Sequence, residues 1–175
     1  MASAIRVGAS SCLLGKRVRY DRGHKHDRYI TDILGQYFTF VPVCPEVGCG
    51  LPVPREAMHL EGNPANPRLV TIMTRIDLTC RMLDYCRSKV KELEREYLSG
   101  FIFKSRSPCC AFIPCEGFSS GGNGRSRGLF AAAGTEHFPL LPIEEEGRLN
   151  DPKIREDFIE RVLAYSRIQM SIPEK

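Results

Sequence analysis

The chain has 175 residues, of which 42% are hydrophobic and 26% are charged, and its formal net charge is +4. No run approaches the roughly 18 apolar residues of a membrane-spanning helix, and the first residues lack the apolar core of a signal peptide. We therefore expect one soluble, cytoplasmic domain over residues 1–175, large enough to hold a proper hydrophobic core.

Apolar runs that end in polar turns predict two β-strands early in the chain, over 5–10 and 38–43. Pro42 cannot donate a hydrogen bond to a neighbouring strand, so the second strand is expected either to lie at a sheet edge or to end soon after this residue. A loop rich in glycine and charge occupies 13–25, and a short helix is predicted over 27–34.

The middle of the chain contains the clearest helix-to-strand connection. Three prolines and two glycines predict a stiff, irregular loop within 44–56, and 68–73 suits a strand in a hairpin or flap over the site. Apolar residues spaced by three and four predict a helix over 77–98, which Gly100 ends. A strand over 101–104 follows at once, an order typical of a βαβ unit.

The sequence after residue 104 predicts only one further strand. A glycine-rich loop at 119–128 resembles no phosphate-binding motif. It precedes a short helix over 129–134, a final strand over 139–143, and a helix from 151 with Asp151 as N-cap. These elements predict an α/β fold, with a mostly parallel, Rossmann-like sheet flanked by helices and a loop-rich lobe over the site.

Three of the predicted strands end in turns that carry cysteine: Cys12, Cys44, and the pair Cys109 and Cys110. In an open α/β sheet the functional crevice lies beyond the carboxyl ends of the strands. If the three strands are parallel neighbours, at least one thiol from each reaches the same edge. This arrangement predicts a metal site.

Spacing alone leaves the nature of a thiol site open. Eight cysteines in a reducing compartment are not expected to form disulfides. The spacings Cys44–Cys49 and Cys110–Cys115 would suit a zinc site, although that site would leave Cys12 unexplained. An iron–sulfur cluster and a thiol nucleophile are equally compatible with these residues.

Polar residues beside the thiols favour a reactive site over a closed structural one. Glu46 follows Cys44 by two residues, and Ser105 and Ser107 precede the double cysteine. A carboxylate can act as general base toward water. The alternative for Glu46 is a structural loop carboxylate paired with Arg55.

Basic residues cluster near the predicted site, and they would tolerate an anionic substrate such as a nucleotide or RNA. They are Lys16, Arg17, Arg19, Arg22, Lys25, Lys104, Arg106, Arg125 and Arg127. Simple solvated surface charge explains the same residues equally well.

Several motifs in one order carry a specific resemblance. They are Ser11-Cys12-Leu13-Leu14-Gly15, Arg19-Tyr20-Asp21, Cys44-Pro45-Glu46, Gly50-Leu-Pro-Val-Pro54-Arg55, Lys104-x-x-Ser107-Pro108-x-Cys110 and the tail 142–152. Together they resemble the DUF523 family, whose characterised members are thiouracil desulfurases, over nearly the whole chain.

This resemblance implies a [4Fe-4S] cluster held by only three cysteines, Cys12, Cys44 and Cys110. The fourth iron would stay open for the sulfur of a thiolated pyrimidine, whether thiouracil, thiouridine, a nucleotide or tRNA. Glu46 matches the catalytic glutamate, and Ser107 is the match for the catalytic serine, with Ser105 nearby. The implied reaction exchanges C=S for C=O without net oxidation.

The sequence departs from the family pattern at two cysteines. Cys109 stands where serine is usual, and Cys49 stands where glycine is usual. Cys109, Cys49 or Cys115 could supply a fourth ligand and close the cluster. The rival functions are a non-catalytic zinc or iron–sulfur module that binds RNA, and a hydrolase with a cysteine nucleophile.

Overall fold

The computed structural model describes residues 4–112 and 126–171, and the α/β class is confirmed. The strands are β1 Ile5–Ser10, β2 Phe38–Val43, β3 Met58–Asn63, β4 Asn66–Thr71, β5 Gly100–Phe103 and β6 Ile143–Glu145. The α-helices are α1 Pro45–Gly48, α2 Thr79–Glu94, α3 Leu129–His137 and α4 Pro152–Ser171. Within these ranges, every helix is too short or too polar to cross a lipid bilayer.

The central sheet has the order β2-β1-β5-β6, and each neighbouring pair is parallel. The predicted parallel sheet is therefore confirmed, as is the edge position of the strand that contains Pro42. Strands β3 and β4 form a separate antiparallel hairpin. Because the four central strands run the same way, their carboxyl ends share one edge.

Alternating side chains of β5 divide the hydrophobic core between the two faces of the sheet. Phe101 and Phe103 pack with residues of α2, α3 and the hairpin. Ile102 points to the opposite face, where it packs with Phe158 and Val162 of α4. Burial on both faces explains why β5 is an uninterrupted apolar run.

A glycine in β1 is required by an aromatic ring on the neighbouring strand. A Cβ atom on Gly8 would lie 2.2 Å from Cδ2 of Phe101, its register partner. The Phe101 ring stacks on Phe103, with their centroids 4.3 Å apart. The absence of a side chain at position 8 thus makes room for this pair.

Two predictions in the first third of the chain differ from the structure in local detail. The helix predicted over 27–34 is present, but it is not of the α type, because Tyr29–Ile33 forms a π-helix and Leu34–Gln36 a 3₁₀ helix. Its apolar spacing determined which side faces the core but not the hydrogen-bond pattern. The segment 44–56 is not wholly irregular, since Pro45 starts the one-turn helix α1, where its missing N–H costs nothing.

In the middle and last thirds of the chain, the structure differs from the predictions mainly in where the helices and strands begin and end. Helix α2 stops at Glu94, and Tyr97 has a left-handed φ of 48°, which reverses the chain before β5. The predicted strand at 139–143 begins only at Ile143, and Pro139 and Pro142 before it have no N–H to donate to β5, the neighbour of this edge strand. Helix α3 extends three residues further than predicted, to His137.

We expect Gly8→Ala to destabilise the fold by about 1–3 kcal/mol, because its methyl group would overlap the Phe101 ring. Gly147→Ala is the matched control, since a Cβ atom added at Gly147 would meet no heavy atom within 4 Å and the φ of this residue is −63°. Urea unfolding followed by circular dichroism measures both variants. Equal stability of the two would contradict the packing argument.

Candidate active site

A cavity of about 480 Å³ opens at the carboxyl edge of the central sheet. The predicted site residues that line it are Cys12, Cys44, Glu46, Ser105, Ser107 and Cys110. Ala57 and Met58, at the start of the hairpin, also line it, whereas the predicted strand or flap at 68–73 pairs within the hairpin and does not line the cavity. The sheet therefore brings the thiols of three separate segments into one cavity.

Cys12 lies in a 3₁₀ turn, Ser11–Leu14, directly after β1. Gly15 ends this turn with a left-handed φ of 83°, a conformation that favours glycine. The Cys12 carbonyl then accepts a hydrogen bond of 2.9 Å from the Lys25 amide, which folds the 13–25 loop back over the site.

Cys44 lies between β2 and α1, in extended conformation, and its carbonyl accepts the Gly48 amide at 2.8 Å. Pro45 begins the helix, so the next residue, Glu46, falls in its first turn on the cavity side. The strand end and the helix start thus place a thiol and a carboxylate together.

Cys110 is held by a loop that packs against the start of α3. The Ser107 hydroxyl accepts hydrogen bonds from the amides of Cys109 and Cys110, at 3.3 and 3.1 Å. The Phe130 amide donates to the Cys109 carbonyl at 2.9 Å. A Cβ atom on Gly128 would lie 2.4 Å from the Cys109 backbone, so only glycine permits this approach.

The two adjacent cysteines have different environments. Both are buried, but Cys110 lines the cavity, whereas Cys109 is fully buried and does not. Cys49 is also outside the cavity lining, and its thiol donates to the Glu46 carbonyl at 3.3 Å. Cys115, the remaining candidate for a fourth ligand, lies outside the described residues.

Burial keeps the three cavity thiols protonated in the absence of a cation. It raises the pKa of Cys12 to about 11 and raises the pKa of Cys44 and Cys110 above the usual thiol range. The Ser10 hydroxyl opposes this effect at Cys110 by hydrogen bonding to its sulfur. A nucleophilic cysteine requires the opposite shift, toward the thiolate.

The described residues contain no group of three or more His, Cys, Asp or Glu side chains placed to hold one metal ion. A structural zinc site needs four such donors around one atom, each about 2.0–2.3 Å away. The cavity thiols are therefore gathered into one space without converging on a single point.

Glu46 is paired with Arg55, as expected from the alternative interpretation of Glu46 as a structural loop carboxylate. The Arg55 Nε donates to Glu46 Oε2 at 2.7 Å, and a second guanidinium N–H donates to the same oxygen. Arg55 also donates to the Val18 carbonyl at 2.8 Å, so it ties the 13–25 loop to α1. The other oxygen, Oε1, accepts no hydrogen bond from the described residues and stays available at the cavity.

Sequence reasoning assigned no role to Glu146, which bonds to two residues of the cavity wall. It follows β6 directly and accepts hydrogen bonds from Lys104 Nζ at 2.5 Å and from the Ser105 hydroxyl at 2.8 Å. The sequence does contain a signal for Glu146. Functional residues follow the carboxyl ends of parallel strands, and Glu146 is the first residue after β6, the fourth strand of the sheet.

Four of the nine predicted basic residues line the cavity, namely Arg19, Lys25, Lys104 and Arg106. With Arg55, which was not in that cluster, they make the cavity wall predominantly cationic. Arg127 lies elsewhere, over the Phe112 ring, and Arg125 is outside the described residues. The predicted cluster of positive charge is thus partly a site feature and partly ordinary surface.

The fold and the site together define the class of the protein: a doubly wound α/β protein with a thiol-lined crevice beyond the carboxyl ends of its parallel strands. The family model for 2-thiouracil desulfurase matches residues 7–146. The chain therefore belongs to the 2-thiouracil desulfurase family.

A solved structure shares this fold. The chain superposes on a [4Fe-4S]-dependent thiouracil desulfidase, TudS (DUF523Vcz), with a TM-score of 0.70 and 24% sequence identity. The match covers 87% of this chain and 98% of that one. No protein of curated function matches the sequence.

We expect the Cys12 thiol to react slowly with iodoacetamide at pH 8 in chelator-treated protein, because alkylation requires the thiolate. Its pKa of about 11 means that the rate should rise roughly tenfold for each pH unit up to that value. The exposed thiol of Cys80 is the internal control and should be labelled first. Peptide mass spectrometry measures both rates, and equal labelling at pH 8 would contradict the burial argument.

Proposed function

We propose that this protein is an iron–sulfur-dependent desulfurase that converts a thiolated pyrimidine to its oxo form and releases sulfide. The family supports the thiouracil class of substrate. The observation that carries the proposal is the meeting of Cys12, Cys44 and Cys110 in one open cavity that also contains the Glu46 carboxylate. We place the reaction in the cytoplasm, where free thiols persist.

The three cavity thiols supply the donor chemistry that a [4Fe-4S] cluster with an open position would use. In our proposal Cys12, Cys44 and Cys110 each hold one iron, and thiolates are the ligands that such clusters prefer. When bound, the cluster would supply a thiophilic Lewis acid for the thiocarbonyl sulfur, which would polarise the C–S bond. Lys104 and Arg19 lie close enough to Cys12 to favour its thiolate, which a bound cluster requires.

Glu46 is the proposed general base. Arg55 holds Oε2, which leaves Oε1 as the acceptor for a proton from the attacking water. The water oxygen forms the new bond to the ring carbon, the C–S bond breaks, and sulfur leaves as sulfide. The ring carbon keeps its oxidation state, so the reaction needs no electron donor.

Two serines are candidates for the hydroxyl that assists Glu46. Ser107, the residue that the resemblance favours, remains a prediction, but its oxygen already accepts two backbone amides. Ser105 lines the same cavity, but its hydroxyl donates to Glu146 and accepts from Lys104. Ser107 therefore retains an O–H donor, whereas Ser105 can only accept a further hydrogen bond, so the two serines would have opposite roles toward the substrate.

The cationic wall supports a substrate that carries phosphate, such as a thiolated nucleotide. Within the described residues, Lys25 and Arg106 line the cavity without an acidic partner for their side chains. The thiolated base alone, the nucleoside and a thiolated tRNA are the other forms we propose to test. Parallel assays with each form would identify the preferred substrate.

The rival functions fit the site less well. A hydrolase with a cysteine nucleophile would need a thiol that ionises easily, whereas burial raises the pKa of Cys12, Cys44 and Cys110. The zinc site that the cysteine spacing suggested would use Cys49, which does not line the cavity, and would leave out Cys12, which does.

We expect Cys12→Ala, Cys44→Ala and Cys110→Ala each to lose most of the iron and acid-labile sulfide, because each removes one of three ligands. Cys80→Ala and Cys109→Ala are the controls and should keep both, since Cys80 is exposed and Cys109 does not line the cavity. Metal analysis and visible absorption of anaerobically purified protein measure the outcome. Loss of iron in Cys109→Ala with retention in Cys110→Ala would reverse the assignment of the adjacent thiols.

Glu46→Gln should keep the visible absorption of the cluster and lower turnover by at least about 10²-fold, as expected for loss of a general base. The assay follows bleaching of the near-ultraviolet band of 4-thiouracil or 4-thiouridine together with sulfide release. Glu56→Gln is the control, because this loop carboxylate bonds to Met73 and Thr74 outside the cavity. Normal turnover in Glu46→Gln would contradict the role of general base for Glu46. A wild-type protein that contains iron but releases no sulfide would contradict the proposed function.

A further inference from the structure

Lys104, Ser105 and Glu146 form a closed hydrogen-bonded group at the cavity wall. The Ser105 hydroxyl donates to Glu146 Oε1 at 2.8 Å, and the Ser105 amide donates to Glu146 Oε2 at 2.7 Å. Lys104 Nζ donates to Glu146 Oε1 at 2.5 Å and to the Ser105 hydroxyl at 3.3 Å. Glu146 thus holds Ser105 by both its backbone and its side chain.

These contacts leave the Ser105 hydroxyl with one remaining hydrogen-bonding capacity. A hydroxyl has one proton to donate and two lone pairs that accept. The proton is engaged by Glu146, and Lys104 occupies one lone pair. The free lone pair can only accept, so a ligand in the cavity must meet Ser105 with an N–H or O–H donor.

The position of Glu146 is fixed by the sheet rather than by a flexible loop. Strands β5 and β6 are parallel, with Phe103 paired to Glu145, so Glu146 lies beside Lys104 at the same edge. The Glu146 amide also donates to the Phe103 carbonyl at 3.3 Å. The side chains of Lys104 and Glu146 are only 16% and 13% exposed, so water competes weakly for their contacts.

We propose that Glu146 is a positioning residue for the desulfuration reaction, and that it fixes Ser105 as a hydrogen-bond acceptor facing the substrate. The donor that Ser105 meets would be the ring N–H of the thiolated pyrimidine or the O–H of the attacking water. Without Glu146, Lys104 would be the remaining partner of the hydroxyl, whose proton would then be free to turn toward the cavity. The inference rests on the proposed function and adds a residue outside the cavity lining to its machinery.

A double-mutant cycle tests the proposal in the iron-loaded protein. Ser105→Ala should lower kcat on the order of 10²-fold, the size of effect that follows from misplacing a reacting group. Glu146→Gln should lower kcat by about tenfold or more in the wild-type background, with KM changed less than kcat. In the Ser105→Ala background the same Glu146→Gln change should cause no further loss, because its effect passes through Ser105.

Controls separate positioning from general destabilisation. Glu144→Gln replaces a neighbouring buried glutamate that pairs with Arg148 and Arg161, away from the cavity, and it should leave kcat unchanged. Iron content and visible absorption should be the same in all these variants. The Glu46→Gln protein permits a further measurement without turnover, in which calorimetry identifies the donor: Ser105→Ala or Glu146→Gln weakens 4-thiouridine binding if the ring N–H meets Ser105 and leaves it unchanged if the water does.

The outcomes distinguish this inference from the function on which it rests. A wild-type protein that releases no sulfide would overturn both. An active wild type with wild-type kcat in Glu146→Gln, or with losses that add in the double variant, would overturn the role of Glu146 alone. Equal losses in Glu144→Gln and Glu146→Gln would likewise overturn it, because they would report stability and not positioning.

Discussion

The parallel pairing of β1 with β2 and with β5 is the constraint on which the rest of this structure depends. The register places Ser10 opposite Val43, so Cys12 and Cys44 emerge at nearly the same level beyond the sheet. On the other side the Lys104 amide donates to the Ser10 hydroxyl at 2.9 Å, which brings the loop of Cys110 to the same edge. A register shift of β1 against β2 or against β5 would separate the thiols and disrupt the cavity.

The site combines groups that are costly to bury unless each has a partner. Thiols without a cation respond to burial by staying protonated, as the raised pKa of Cys12 indicates. The carboxylates respond by pairing with cations, Glu46 with Arg55 and Glu146 with Lys104. These pairs also orient the carboxylate oxygens, and this supports our proposals of Glu46 as the general base and of Glu146 as the residue that positions Ser105.

Much of the site was predictable because parallel strands have a simple geometric consequence. The three cysteine-bearing turns were expected at one edge, and Cys12, Cys44 and Cys110 do line one cavity. Element ends were less predictable. Helix α1 replaced an expected irregular loop, because a proline at the first helical position costs little and hydrogen bonds from Gly48 and Cys49 complete the turn.

The amino-acid sequence by itself determined the α/β class, the order of strands and helices, and the chemical types at the strand ends, because local periodicity and turn residues act over a few positions. Only the tertiary structure decided which of Cys109 and Cys110 lines the cavity, which oxygen of Glu46 Arg55 holds, and that Glu146 engages Ser105. Those outcomes depend on contacts between residues far apart in the chain, such as the 41-residue separation of Ser105 and Glu146. Local sequence patterns cannot predict such pairs, because only the register of the sheet brings the two residues together.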